Sequence, residues 1–378
     1  MKKRFNQHVL GAIVITFALS ANSVFATELP AVNITQKAPD DPYVAGFKAY
    51  AKELGAYGSI MQDASESYAN DVIKTEKKVG YIGKALPIPQ ATKVTEGVYT
   101  VVGSMIWHNP ANYGLNNNLS FIVFDDGVFV FNAGANPALA YSLHQQIKKV
   151  TNKPVNWLAV ENNQGHAYLG ASYWVDVGVK NLYSSTLAND QFNEAFGAIK
   201  QEWSARVGKE ITIGARNVSN KFTTYDGELT IDVGGGETVM LKDFGPGHTP
   251  ASTSVYIPSR KVLLTGDLGF NERMPVFFPY TDSFAWKDSY KAMLDQIPMD
   301  TLVVPGHGTP TDMATAKRQM YDYLVYMHTE VQKVADADGR QADAEEIDQS
   351  MYKDRPVFDQ AAKNNAIHIY NEITGGDF

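Results

Sequence analysis

Leu263-Leu264-Thr265-Gly266-Asp267 and Val303-Val304-Pro305-Gly306-His307-Gly308 each run an apolar strand into a glycine and then into a side chain able to bind a metal. Both read as short buried strands that end in sharp turns. Two more segments repeat the pattern: Phe244-Gly245-Pro246-Gly247-His248-Thr249-Pro250 and, after the apolar run Val155 to Val160, Glu161-Asn162-Asn163-Gln164-Gly165-His166. Strand-end loops are where α/β folds place their binding groups. Two or three imidazoles with one carboxylate form a usual catalytic metal set with a position left for water. Glycines beside such ligands let the backbone come close.

Outward from these segments, Val98 to Ile106, Leu119 to Phe124 and Val128 to Phe131 read as strands, the last two joined by the hairpin signal Asp126-Gly127. A helix over Pro137 to Val150, a weaker one near Gly170 to Val177, a strand at Asn181 to Ser184 and a polar helix through Gln201 give a strand–helix rhythm. Hairpins fill Phe222 to Phe270. Gly234-Gly235-Gly236 lacks the Lys-Ser/Thr and the helix of a phosphate loop and reads as a hairpin turn. Helix Ala285 to Gln296 precedes strand Thr301 to Val304, and from Thr311 the chain reads as helical, with breaks near Gly339 and Pro356. Asp336, Asp338 and Gly339 miss the EF-hand frame and read as a helix stop.

Composition narrows the partners. Among 378 residues, 33 Lys+Arg face 41 Asp+Glu, a net charge of -8 that gives no footprint for nucleic acid or anionic membrane surfaces. A small-molecule substrate is the expected partner, and a homodimer is left open. The chain has no cysteine, which excludes disulfides, thiol nucleophiles and Cys-ligated zinc. Lys2, Lys3 and Arg4, the apolar stretch Val9 to Leu19, and Val24-Phe25-Ala26 read as an export signal cleaved near Ala26, for a periplasmic or secreted protein. That stretch is shorter than the roughly 20 residues of a membrane span, so no integral membrane segment is expected in the mature chain. Asp41 to Lys77 has helical spacing.

The order of motifs resembles the metallo-β-lactamase superfamily over roughly Val94 to Met327. Pro246-Gly247-His248-Thr249-Pro250, Thr265-Gly266-Asp267 and Pro305-Gly306-His307-Gly308 match its last three motifs in order. Two earlier motifs depart: Asn132 stands where the family has an Asp, and ENNQGH replaces HxHxDH, with Glu161 for the first His, Asn163 for the second and Gly165 for the Asp. The resemblance implies an αββα sandwich over residues 92–310, preceded by a helical extension (27–91) and followed by a C-terminal helical segment (311–378).

By the same resemblance, His166, Asp267 and His307 hold one metal, while the other position keeps only His248, Glu161 and the poor ligand Asn163. One divalent ion is therefore expected, zinc foremost, with Mn2+ or Fe2+ as alternatives. The implied activity is metal-assisted hydrolysis of an ester, thioester, sulfate ester or lactam, with Asp267 and Glu161 as the catalytic carboxylates. Glu161, if it does not bind metal, stands in for the carboxylate missing at Gly165 and accepts a proton from water. The alternative is a non-catalytic binding protein with a decayed metal site. Trp107, His108, Phe277 and Tyr280 are expected to line the substrate cleft.

Overall fold

The computed structural model describes residues 85–208, 212 and 214–376. The expected export signal lies outside them, as does the expected helical extension apart from residues 85–91, which form no regular element.

Val128 and Val130 turn to one side of their strand and Phe129 and Phe131 to the other, and both sides are buried. A strand covered on both faces must lie inside a layered fold. It belongs to a seven-stranded sheet ordered β1 (Thr92–Thr95), β2 (Val98–Val101), β3 (Leu119–Val123), β4 (Val128–Phe131), β5 (Val155–Ala159), β6 (Asn181–Ser185) and β7 (Thr223–Tyr225). The first four strands form an antiparallel meander, and β4 to β7 are parallel. Parallel neighbours need crossovers, which α1 (Pro137–Val150), α2 (Gly165–Tyr168) with α3 (Ala171–Asp176), and α4 (Thr186–Val207) supply.

The second sheet runs β8 (Glu228–Asp232), β9 (Thr238–Asp243), β10 (Thr253–Ile257), β11 (Val262–Phe270), β12 (Leu302–His307) and β13 (Thr311–Asp312), in that spatial order. Only β11 and β12 are parallel, and α5 (Ser283–Gln296) links them. The inner faces meet in one core: Ile122, Phe129, Phe131 and Trp157 from the first sheet, Val239, Leu241, Val255, Leu264 and Val304 from the second. Helices α1 and α3 cover the outer face of the first sheet through Leu139, Leu143, Tyr173 and Trp174. On the outer face of the second lie α5, α6 (Met313–Gln319), α7 (Tyr321–Asp336) and α9 (Phe358–Thr374), through Trp286, Met313, Tyr323, Met327 and Ile369, while the short α8 (Gln341–Glu345) leads into α9. The result is an αββα sandwich. Each large inner side chain contributes about 1.5–3 kcal/mol by its burial. Among the described residues no helix is long and apolar enough to cross a membrane.

The structure departs locally from the sequence reading. The strand expected over Val98 to Ile106 ends at Val101, because Gly103 packs against the Asn117 backbone, where a Cβ would sit 2.2 Å from the Asn117 carbonyl oxygen. Gly103 N–H also donates to Asn118 Oδ1, which draws the chain off the sheet edge. The glycine triplet is a hairpin turn, with φ of 83°, 62° and 76° at Gly234, Gly235 and Gly236.

His328 of α7 is buried, its ring stacked on Phe284, and its Nε2 lies 2.7 Å from Ser283 Oγ, which donates to Glu372. Burial, and then Lys287, push its pKa down from 6.5 to about 3. The folded chain thus refuses a proton that the unfolded chain accepts below 6.5. Its effect on stability is nil above that pH and destabilising by about 1.4 kcal/mol per pH unit below it. In urea titrations a His328→Gln variant should lose less stability than wild type between about pH 7 and pH 5. Equal losses would contradict the assignment.

Candidate metal centre

The chemically interesting side chains gather at or near the ends of strands. Asn132 follows β4 at φ 70°, a left-handed conformation that Asn tolerates better than most residues. Glu161 follows β5, and His166 stands in the first turn of α2. His248 sits in the turn between β9 and β10, while Asp267 and His307 belong to the far parts of β11 and β12. Sheet order then carries the two groups toward each other across the sandwich.

Asp267 is the meeting point. His166 Nε2 lies 3.3 Å from its Oδ2, His248 Nε2 lies 3.5 Å from the same oxygen, and His307 Nε2 lies 3.1 Å from Oδ1. Asn162 Nδ2 donates to Oδ2 at 3.0 Å. Glu161 Oε1 is 3.3 Å from His166 Nε2. Glu161 and Asp267 are fully buried, and the three imidazoles nearly so. Among the described residues, Glu161, His166 and Asp267 form the trio whose donor atoms all fall within 4.8 Å of one another. This tightest trio differs from the expected His166, Asp267 and His307, because the oxygen of Glu161 is drawn in.

Charge follows from that packing. Burial alone would lower the His166 pKa, but the Asp267 and Glu161 carboxylates outweigh it and push it up to about 9. Burial opposes ionisation of Asp267, yet His166 and His307 hold its carboxyl well below the usual range. Burial, then Asp267, push Glu161 up. His248 and His307 are driven down to about 4, His248 by burial against the pull of Asp267, His307 by burial and then the Arg273 guanidinium. His307 Nδ1 lies 2.5 Å from the Asn116 carbonyl and 3.0 Å from Arg273 Nη1. The shorter contact assigns the proton to Nδ1, donated to Asn116, and leaves the Nε2 lone pair facing Asp267 Oδ1.

The departures from HxHxDH have local compensations. Glu161 Oε1 accepts from Asn132 Nδ2 at 2.7 Å, Asn132 Oδ1 accepts from Glu161 N at 3.1 Å, and Glu161 Oε2 accepts from Asp267 N. An aspartate at 132 would set oxygen against oxygen, so Asn132 and Glu161 are one coupled exchange. Glu161 is fully buried, and each of its carboxylate oxygens already accepts one hydrogen bond. At Gly165 a Cβ would fall 2.2 Å from Trp203 Nε1, so the indole fills the space of the missing carboxylate. Asn163 turns away to Gln191, with Nδ2 donating at 3.1 Å. Gln164 Nε2 sits 3.1 Å from His248 Nε2 and donates to Tyr280 Oη at the same distance.

Of the residues expected in the cleft, Tyr280 is exposed and stacks on Phe278, which meets both Trp107 and His248 edge-on. His108 is buried, stacked on Trp203 at 4.0 Å and 3.7 Å from Glu202. Phe277 is buried against Trp286 and His368, beneath the loop rather than on its surface. Asn162, Gln164, Trp203 and Arg273 were not singled out from the sequence. Only the first two carried a signal, their place within ENNQGH.

These side chains suit a divalent ion. His166 Nε2 and Asp267 Oδ1 are buried without hydrogen-bond partners, although charged or polar neighbours stand close by. Donor-to-donor distances of 3.1–3.5 Å are near the edge of about 3.4 Å expected when bonds of about 2.1 Å radiate tetrahedrally from one ion.

The model of the metallo-beta-lactamase superfamily matches residues 172–308. Probable metallo-hydrolase YqgX of Bacillus subtilis (strain 168) is 26% identical over 226 residues, covering 57% of this chain and 96% of that protein. An uncharacterized protein of Aquifex aeolicus (strain VF5) is 32% identical over 98 residues, which span 23% of this chain and about half (46%) of the relative. The crystal structure of DIM-1 metallo-beta-lactamase exposed to ceftazidime aligns with a TM-score of 0.50 at 18% identity, over 64% of this chain and 99% of that one, a likeness of fold. With the αββα sandwich and the ordered motifs, these matches place residues 172–308 in the metallo-beta-lactamase superfamily. Where that family has HxHxDH, the chain carries ENNQGH.

The Asn132–Glu161 exchange is open to a double-mutant cycle. Glu161→Gln turns an N–H toward either Asn132 Nδ2 or Asp267 N, and Asn132→Asp sets its carboxylate against that of Glu161. Each single change should cost about 1–3 kcal/mol in urea unfolding, and the double change should recover part of the sum because the pair is complementary again. Additive losses would contradict the coupling.

Proposed function

We propose that this chain is an exported metal-dependent hydrolase whose single divalent ion is held by Glu161, His166 and Asp267. The observation that carries the proposal is the convergence of buried donor atoms, two of them without hydrogen-bond partners, on the Asp267 carboxylate. The signal-like N-terminus supports export. An ion in this place supplies Lewis acidity and makes a coordinated water more acidic.

The chain's own residues prepare the site. Asn162 fixes the Asp267 carboxylate through Oδ2, and the Asn116 carbonyl fixes the His307 ring through Nδ1. His248 stays neutral, and its Nε2 faces the Gln164 amide at 3.1 Å beside the Phe278 ring of the entrance wall. Trp203 keeps water from the Gly165 side. Phe278, Tyr280 and Trp107 give the entrance an apolar, ring-bearing wall that suits an ester, thioester, sulfate ester or lactam with an apolar or aromatic portion.

The test is a hydrolysis screen on ester, thioester, alkyl-sulfate and lactam substrates, with metal-free protein and with added Zn2+ or Mn2+. One bond class should be cleaved only with metal, and Asp267→Ala should abolish that activity by at least about a hundredfold. Silence on every panel from protein that holds its metal would favour the non-catalytic binding protein.

A further inference from the structure

Glu161 brings an oxygen where the resemblance places an imidazole, and its consequence is chemical as well as structural. Within the tightest trio, two donors are carboxylates and one is an imidazole. Of the other two imidazoles, His248 Nε2 faces the Gln164 amide at 3.1 Å, while His307, its ring stacked on Phe270 at 4.6 Å and Nδ1 tied to Asn116, turns Nε2 to Asp267 Oδ1 at 3.1 Å but lies outside the trio with Glu161. The fully buried Glu161 is oriented by Asn132 Nδ2 and Asp267 N, which leaves Oε1 turned toward His166. His166 Nε2, buried and without a hydrogen-bond partner, points into the same cluster.

Carboxylate oxygens suit hard ions such as Mn2+, whereas zinc gains most from imidazole and thiolate donors. A buried pair of carboxylates also offers two negative charges to a dication. We propose that Glu161 makes this centre an oxygen-rich site of manganese(II) class, one that discriminates far less strongly for zinc than a histidine-rich centre does. The inference rests on the metal reading above and adds the identity of the ion.

The test needs no substrate. Full-length protein, stripped of metal by dialysis against chelator, is titrated with Mn2+ and with Zn2+ against a chromophoric competitor, and bound Mn2+ is counted by electron paramagnetic resonance. Wild type should bind one Mn2+, and its Zn2+/Mn2+ affinity ratio should lie at least about tenfold below that of Glu161→His. Glu161→Asp, which keeps the oxygen should the histidine variant fail to fold, should retain the wild-type ratio at weaker affinity, while Glu161→Gln should lose Mn2+ more than Zn2+. Tight zinc binding with no Mn2+ uptake, or a ratio unmoved by every change at 161, would overturn the manganese assignment and leave the metal-centre reading standing. Binding of neither ion would overturn both.

Discussion

The Glu161 carboxylate is the constraint on which the centre depends. Its side chain accepts from Asn132 on the first sheet and from the Asp267 backbone on the second, and its main-chain carbonyl accepts Thr253 N at 2.7 Å at the start of β10. One residue therefore fastens the ends of β4, β5, β10 and β11 at the mouth of the sandwich. The closeness of this fastening explains Gly266, whose φ of 56° and missing Cβ admit Glu161 Oε2, 2.2 Å from where the Cβ would stand.

Such a fastening is costly in a water-free place. Glu161, His166 and Asp267 are ionisable groups buried together, and burial of charge is unfavourable unless each group is paired and hydrogen-bonded. Asn132, Asn162 and the Asp267 N–H offset part of that cost, and a proton on His166 offsets more. An apolar cluster of the same size would be at least as stable. Two buried atoms at its centre, His166 Nε2 and Asp267 Oδ1, make no hydrogen bond and keep only their ion-pair neighbours.

The fold was legible because its signals are local. An apolar run, a glycine and a ligand side chain name the strand ends at Asp267, His248 and His307 without knowledge of their neighbours, and the helix over Pro137–Val150 has the bounds read from the sequence. What could not be read was compensation from afar. Asn132 and Gly165 looked like losses, yet Asn132 is the partner that a glutamate at 161 requires. Gly165 is the space that Trp203 needs, and Trp203 lies on a helix whose sequence gives no sign of that contact. Phe277, buried while its loop neighbour Tyr280 is exposed, shows the same limit: an aromatic side chain in a loop has no local mark that separates a cleft wall from a core plug. Glu161 reads from sequence as a ligand type, but its complete burial is a property of packing alone.

The most direct test of this account is anomalous diffraction from crystals of the metal-reconstituted protein, collected at the absorption edge of the bound ion. The account predicts one anomalous peak per chain, bounded by Glu161, His166 and Asp267. Two peaks, a single peak centred on His248, or no peak in crystals soaked with metal would contradict it.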